Sequence, residues 1–175
     1  MYLDNNKNIK NIENIILKNK NNKFKSQLLI ACSQNNLIYL KELIQNDILV
    51  NTKENNFSIF YACYYKNYKM AKLLIENDVN LNINDYYNNT PLMYACILDD
   101  LKLAKLILKN LKNINIDDPL INKSLFYACL NNNYELIKKI IKHGYYNKKS
   151  IFYILVIYEL LNEKNKQLIN ENIIN

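Results

Sequence analysis

Apolar and polar positions along this chain alternate in paired bursts. The strings SQLLIACSQNNLIYLKELIQND (26–47), FSIFYACYYKNYKMAKLLIEND (57–78), TPLMYACILDDLKLAKLILKNL (90–111) and KSLFYACLNNNYELIKKIIKHG (123–144) each give a short apolar run, a polar break and a second apolar run. Each predicts helix, turn, helix. In the third string, Leu101, Ala104, Leu106, Ile107 and Leu108 follow a spacing of three and four, which puts one apolar stripe toward a core. Lys102, Lys105 and Lys109 fall on the opposite face. Thr90-Pro91 opens the first helix of that string as a capping hydroxyl followed by a proline whose φ is already helical. The pairs Ala31-Cys32, Ala62-Cys63, Ala95-Cys96 and Ala128-Cys129 hold all four cysteines and recur at offsets of 31, 33 and 33 residues. A fixed period of that size means a unit too small to bury its own apolar face, which stacks on copies of itself and so builds a binding surface.

The residues TPLMYAC, followed by LKLAKLIL and NINIDD, resemble the ankyrin repeat, whose signature runs T-P-L-H-x-A-A, then V-x-x-L-L, then x-x-N. The resemblance covers residues 21–148. It implies an all-α fold, an ankyrin-repeat solenoid of helix-turn-helix units with short hairpin loops. About four repeats (21–51, 52–84, 85–117 and 118–148) would lie between degenerate caps at 1–20 and 149–175, in a single domain of residues 1–175. Ile9, Ile12, Ile15, Ile16 and Leu17 read as a lone second helix in the first cap, and SIFYILVIYELL (150–161) echoes SIFYACYYKN in the last. The signature histidine is replaced by Leu29, Phe60, Met93 and Phe126, so apolar contact is expected to replace its hydrogen bond. Ser58 and Ser124 stand where the proline belongs, Phe57 and Lys123 where the threonine belongs.

With 175 residues, half of them hydrophobic, the chain can build a continuous core. The one glycine, Gly144, leaves the left-handed corners to asparagine, the non-glycine residue that tolerates them best. Asn88, Asn55 and the helix-end residues Asn46, Asn77 and Asn110, aligned with His143, are the expected occupants. Abundant Asn, Ile, Lys and Tyr without Arg or Trp resembles ankyrin proteins of A/T-rich genomes, including large DNA viruses and protists. The cysteines have neither the short spacing nor the neighbouring histidines of a metal site, and equivalent positions of adjacent repeats lie beyond disulfide reach. They read as small buried hydrophobes, reduced, in a cytosolic or nuclear compartment, the host cytoplasm if the source is viral. No signal sequence opens the chain, and the longest apolar run, Ile151 to Tyr158, is far short of a membrane span. A soluble, unsecreted protein is expected. Catalysis is not: His143 sits at a helix end, Asp99-Asp100 reads as a helix cap, and Asp117-Asp118 before Pro119 as turn chemistry. No cofactor and no metal are expected.

A formal charge of +7 raises the question of an anionic partner. Lys41, Lys72, Lys105 and Lys138 fall at equivalent places on the second helices and read as a solvated outer ridge. Lys7, Lys10, Lys18, Lys20, Lys23 and Lys25 form a denser cluster, interleaved with asparagine instead of aromatic residues. The ankyrin resemblance instead implies a concave groove lined by hairpin tips and first-helix ends. Tips carry Lys53, Glu54 and Asn56, then Tyr86, Tyr87 and Asn89, then Leu120 and Asn122. Helix ends add Ser33, Gln34, Tyr64, Tyr65, Ile97, Leu98, Leu130 and Asn131. The candidate partner-binding set is Lys53, Tyr64, Tyr65, Tyr86, Tyr87, Asn89, Ile97, Leu98 and Leu130, with the tyrosines as anchors. Tyr61, Tyr94 and Tyr127 share one register place and read as inter-repeat packing. The functional expectation is a monomeric, non-catalytic adaptor or scaffold binding a protein partner. The alternative is electrostatic binding of nucleic acid or an anionic surface through the N-terminal lysines.

Overall fold

A computed structural model describes residues 26–112 and 121–144, together with residues 163, 166, 167, 170 and 171. The expected N-terminal cap, most of the expected C-terminal cap, the N-terminal lysine cluster, Asp117-Asp118 and Leu120 lie outside the described residues. The chain divides into two compact units, Met1–Pro91 and Leu92–Asn175. In the first unit, helices α1 (Gln27–Ser33) and α2 (Leu37–Gln45) are followed by a 3₁₀ turn (Asn55–Phe57), α3 (Ser58–Tyr64) and α4 (Tyr68–Glu76). Helix α5 (Pro91–Ile97) begins on the last residue of that unit. The second unit continues with α6 (Leu101–Asn110), α7 (Ile121–Leu130) and α8 (Tyr134–Lys142). No strand occurs among the described residues.

One turn, used four times, folds each first helix back against its second. The Ala-Cys pair closes the first helix, and its two carbonyls accept the next backbone donors. Asn35 and Asn36 donate to Cys32 and Ala31, Lys66 and Asn67 to Cys63 and Ala62, Asp99 and Asp100 to Cys96 and Ala95, and Asn132 and Asn133 to Cys129 and Ala128. This closure needs one left-handed residue. It is Asn35 (φ 53°), Lys66 (49°), Asp99 (54°) or Asn132 (50°). The residue that follows caps the second helix: Asn36, Asn67, Asp100 and Asn133 accept from the amides of Tyr39, Met70, Leu103 and Leu136 at 3.0, 3.0, 2.9 and 2.9 Å. A small side chain before each turn lets the two helices cross closely, and all four Ala-Cys pairs are buried.

Asn88 takes the left-handed conformation expected of it, with φ 57°. The other asparagine corners need correction. Asn46 and Asn77 have φ of −93° and −111°, and the left-handed step falls one residue later, on Asp47 (60°), Asp78 (61°) and Gly144 (67°). Asn77 and Asn110 act through their side chains, each amide donating at 2.8 Å to a carbonyl one turn back, on Leu73 and Leu106. Asn55 lies in the 3₁₀ turn, where its amide N–H donates to Thr52 Oγ1 at 3.0 Å and its side chain to the Leu49 carbonyl at 2.5 Å.

The core follows the predicted register. Tyr61 and Tyr94 are 2% and 1% exposed, while Tyr127 is half-buried and meets Phe126 edge-on, ring centroids 5.5 Å apart. Leu29, Phe60 and Met93, in the place of the signature histidine, are buried. In α6 the buried stripe is Leu103, Ala104, Ile107 and Leu108, with Leu101 and Leu106 at its half-buried edges. Ser58 and Ser124 are fully buried, and neither hydroxyl has a hydrogen-bond partner. The Ser58 hydroxyl lies near the Cys32 thiol without reaching hydrogen-bond geometry.

Candidate functional site

Among the described residues of the first unit, the most exposed aromatic side chains stand on a clamped hairpin. The buried Asp85 carboxylate accepts from the amides of Tyr87 and Asn89 at 2.8 and 2.9 Å. The Asp85 amide donates to the Asn89 carbonyl at 3.0 Å, and the Asn88 amide to the Asp85 carbonyl at 3.0 Å. An aspartate that bonds its own downstream backbone fixes the loop whatever its outward side chains are. Tyr86 and Tyr87 point out from it, 77% and 43% exposed. The Tyr86 ring stacks on Phe57, with centroids 6.2 Å apart and planes 24° from parallel.

The preceding tip offers less. Lys53 is exposed, but the Glu54 carboxylate accepts from the Ser26 amide at 2.8 Å, and the Ser26 hydroxyl donates to Asn55 Oδ1. Asn56 is buried; its Oδ1 accepts from the Asn80 amide at 2.7 Å and its amide donates to Asn51 Oδ1 at 3.2 Å. Glu54 and Asn56 therefore join loops and helix starts. At the helix ends, Tyr64 and Tyr65 are half-buried and meet edge-to-face at 5.0 Å. The Tyr65 hydroxyl donates to the Ser33 carbonyl at 2.8 Å, tying the end of α3 to the end of α1 and leaving mainly the ring to a partner. Burial raises the pKa of Tyr65.

In the second unit Ile97 is only 7% exposed, so it packs in the core and offers little surface. It differs from the expectation because it closes α5 beside the buried Cys96, facing inward where Tyr64 at the same register place is half-exposed. Leu98 and Leu130 are half-buried. Asn131 donates to the Cys96 carbonyl at 2.8 Å, a link between α7 and α5. Two contributors escaped the sequence reading, Phe57 and Asp85. An aromatic in the threonine place and the Asp-x-Tyr-x-Asn spacing of 85–89 were the available signals.

Burial pushes the Cys32 and Cys129 thiols up to about 12 and Cys96 higher still, which keeps them protonated and unreactive. Among the described residues no group of three or more His, Cys, Asp or Glu side chains is placed to hold a metal ion. None of the described helices is long and apolar enough to cross a membrane.

A family model described as ankyrin repeats (3 copies) matches residues 2–85, 28–118 and 80–151. No protein of curated function and no solved structure matched the chain. The match spans the four helix-turn-helix copies and their shared turn, and the described elements are all helical. With its Ala-Cys turns, capped second helices and Asp85-clamped hairpin, the chain belongs to the ankyrin-repeat family.

Proposed function

We propose that this chain is a non-catalytic adaptor or scaffold that holds a protein partner at its hairpin tips and first-helix ends. Ankyrin repeats are in general modules of protein–protein interaction. The observation that carries the reading further is the exposed pair Tyr86 and Tyr87 on a loop already ordered by Asp85. Tyrosine gives large contact area at small entropic loss, and a loop held in one conformation loses little more on binding. In the first unit the proposed surface takes Tyr86, Tyr87 and Asn89 with Lys53, Tyr64 and the Tyr65 ring; in the second it takes Leu98 and Leu130. The protein acts as a monomer inside a cell; the four buried free thiols support the intracellular part of that reading.

Affinity capture followed by mass spectrometry identifies the partner, and titration calorimetry then compares variants. Tyr86→Ala/Tyr87→Ala is expected to weaken binding about 30-fold or more at unchanged melting temperature, the size of a hot-spot loss. Asp85→Ala keeps both rings but frees the loop, and is expected to weaken binding about tenfold through lost order. Unchanged affinity in the tyrosine variant would remove the tips from the interface.

A further inference from the structure

We infer that the outward faces of α6 and α8 in the second unit form a docking surface for an anionic lipid bilayer. The inference is independent of the partner-binding tips. Helix α6 carries Lys102, Lys105 and Lys109 against its capping Asp100, and α8 carries Lys138, Lys139 and Lys142 against Glu135 alone. Five of the six are exposed, and Lys139 is half-buried. The corresponding helices of the first unit carry less charge, α2 being neutral and α4 having one lysine in excess. There Lys41 is followed by Glu42, and Lys72 pairs with Glu76 at 3.5 Å beside Lys69. A solvated ridge inherited from the repeat would treat the two units alike.

Helix stabilisation does not account for the array either. Lys109, Lys139 and Lys142 lie in last turns, where cations favour the helix dipole. Lys102 and Lys105 lie in the first half of α6, where they do not. Lys105 and Lys138, and likewise Lys109 and Lys142, are one repeat apart on two helices that pack together. Four lysine positions therefore form a grid, with steps of roughly 6 Å along each helix and helix axes roughly 8–10 Å apart. Charge spread in two dimensions complements a planar sheet of anionic headgroups better than a single line of phosphates. The chain has no arginine to grip phosphate in a bidentate fork, and the grid has no row of aromatic rings to stack bases. It does have Tyr134, half-buried, with Lys138 Nζ 5.9 Å from the ring centroid. An amphipathic ring beside cations suits the headgroup level of a membrane.

The test is co-sedimentation of the full chain with vesicles of phosphatidylcholine alone, and of two parts phosphatidylcholine to one part phosphatidylserine. Wild type is expected to bind only the mixed vesicles, more weakly as salt rises. Each lysine near such a surface is worth about fivefold in partition, so Lys105→Gln/Lys138→Gln should lose about 25-fold. Lys105→Arg/Lys138→Arg should keep wild-type binding. Lys41→Gln/Lys72→Gln makes the same change of net charge in the first unit and should bind as wild type, as should Tyr86→Ala/Tyr87→Ala. Helical circular dichroism and melting temperature confirm that each variant is folded. The inference falls if wild type stays in the supernatant, or if both glutamine pairs lose equally. It falls too if the loss is confined to Lys18→Ala/Lys20→Ala/Lys23→Ala/Lys25→Ala, or if duplex DNA strips the protein from vesicles at equal charge concentration.

Discussion

At the scale of single residues the chain solves, almost without glycine, a problem that glycine usually solves. Asn35, Asp47, Lys66, Asp78, Asn88, Asp99 and Asn132 all adopt positive φ. For an L-residue this costs roughly 1–2 kcal/mol, less for Asn and Asp, whose short polar side chains bond locally. Asn88 has no packing role that glycine would lose; its part in the hairpin is a backbone bond to Asp85. Asn88→Gly is therefore expected to stabilise the fold by about 0.5–1 kcal/mol, seen as a higher melting temperature. Gly144 supplies the converse. A Cβ there would meet nothing within 4 Å, so Gly144→Ala tests backbone strain alone at φ 67° and should cost about 1 kcal/mol. If both variants melt with wild type, the left-handed penalty in this chain is negligible.

At the scale of the element, the recurring turn links copies as well as helices. Asn67 caps α4 through its oxygen, while its amide donates to Asn35 Oδ1 in the previous copy at 2.8 Å. In the second unit Asn133 caps α8 and donates to Asp99 Oδ1 at 2.5 Å. Asparagine is the residue that can do both, since one end accepts and the other donates. Asn67→Asp keeps the cap but turns a donor into a second acceptor, and should cost about 1 kcal/mol in urea unfolding. Asn67→Ala loses both functions and should cost about 2 kcal/mol. Equal losses in the two variants would deny the inter-copy bond any net worth. The helices, their order and the buried Ala-Cys pairs were legible because apolar period and repeat length are written in residue type. The dual use of asparagine was not. In a chain this rich in Asn, a capping residue and a solvent-exposed one look alike, and the left-handed step could be placed only to within one residue, as Asn46 and Asp47 show.

At the scale of the whole molecule, buried ionisable groups set a pH limit. Burial holds Cys32, Cys129 and Tyr61 protonated up to about 12, above the ordinary thiol and phenol ranges. Unfolded, the thiols lose protons near pH 8.5 and the phenol near 10. Folding thus favours the protonated forms. Their contribution is full below about pH 8 and is lost as pH climbs toward 12. The urea midpoint should be flat with respect to these groups up to about pH 8 and fall steadily above pH 9; a midpoint constant to pH 11 would mean that these groups do not govern alkaline unfolding. The candidate site was less legible than the fold for a related reason. Exposure depends on what a neighbour covers, so Ile97 could be told from Tyr64 only once packing was known, and the Asp85 clamp needed backbone geometry. The cysteines carry one more consequence. Each copy holds a single sealed thiol at the same place, so the native protein comes with four built-in reporters of local opening, one per copy. Pulsed alkylation under mildly destabilising conditions, read peptide by peptide, should label the copies at different rates if the array frays stepwise, and all four together if it opens as one cooperative body.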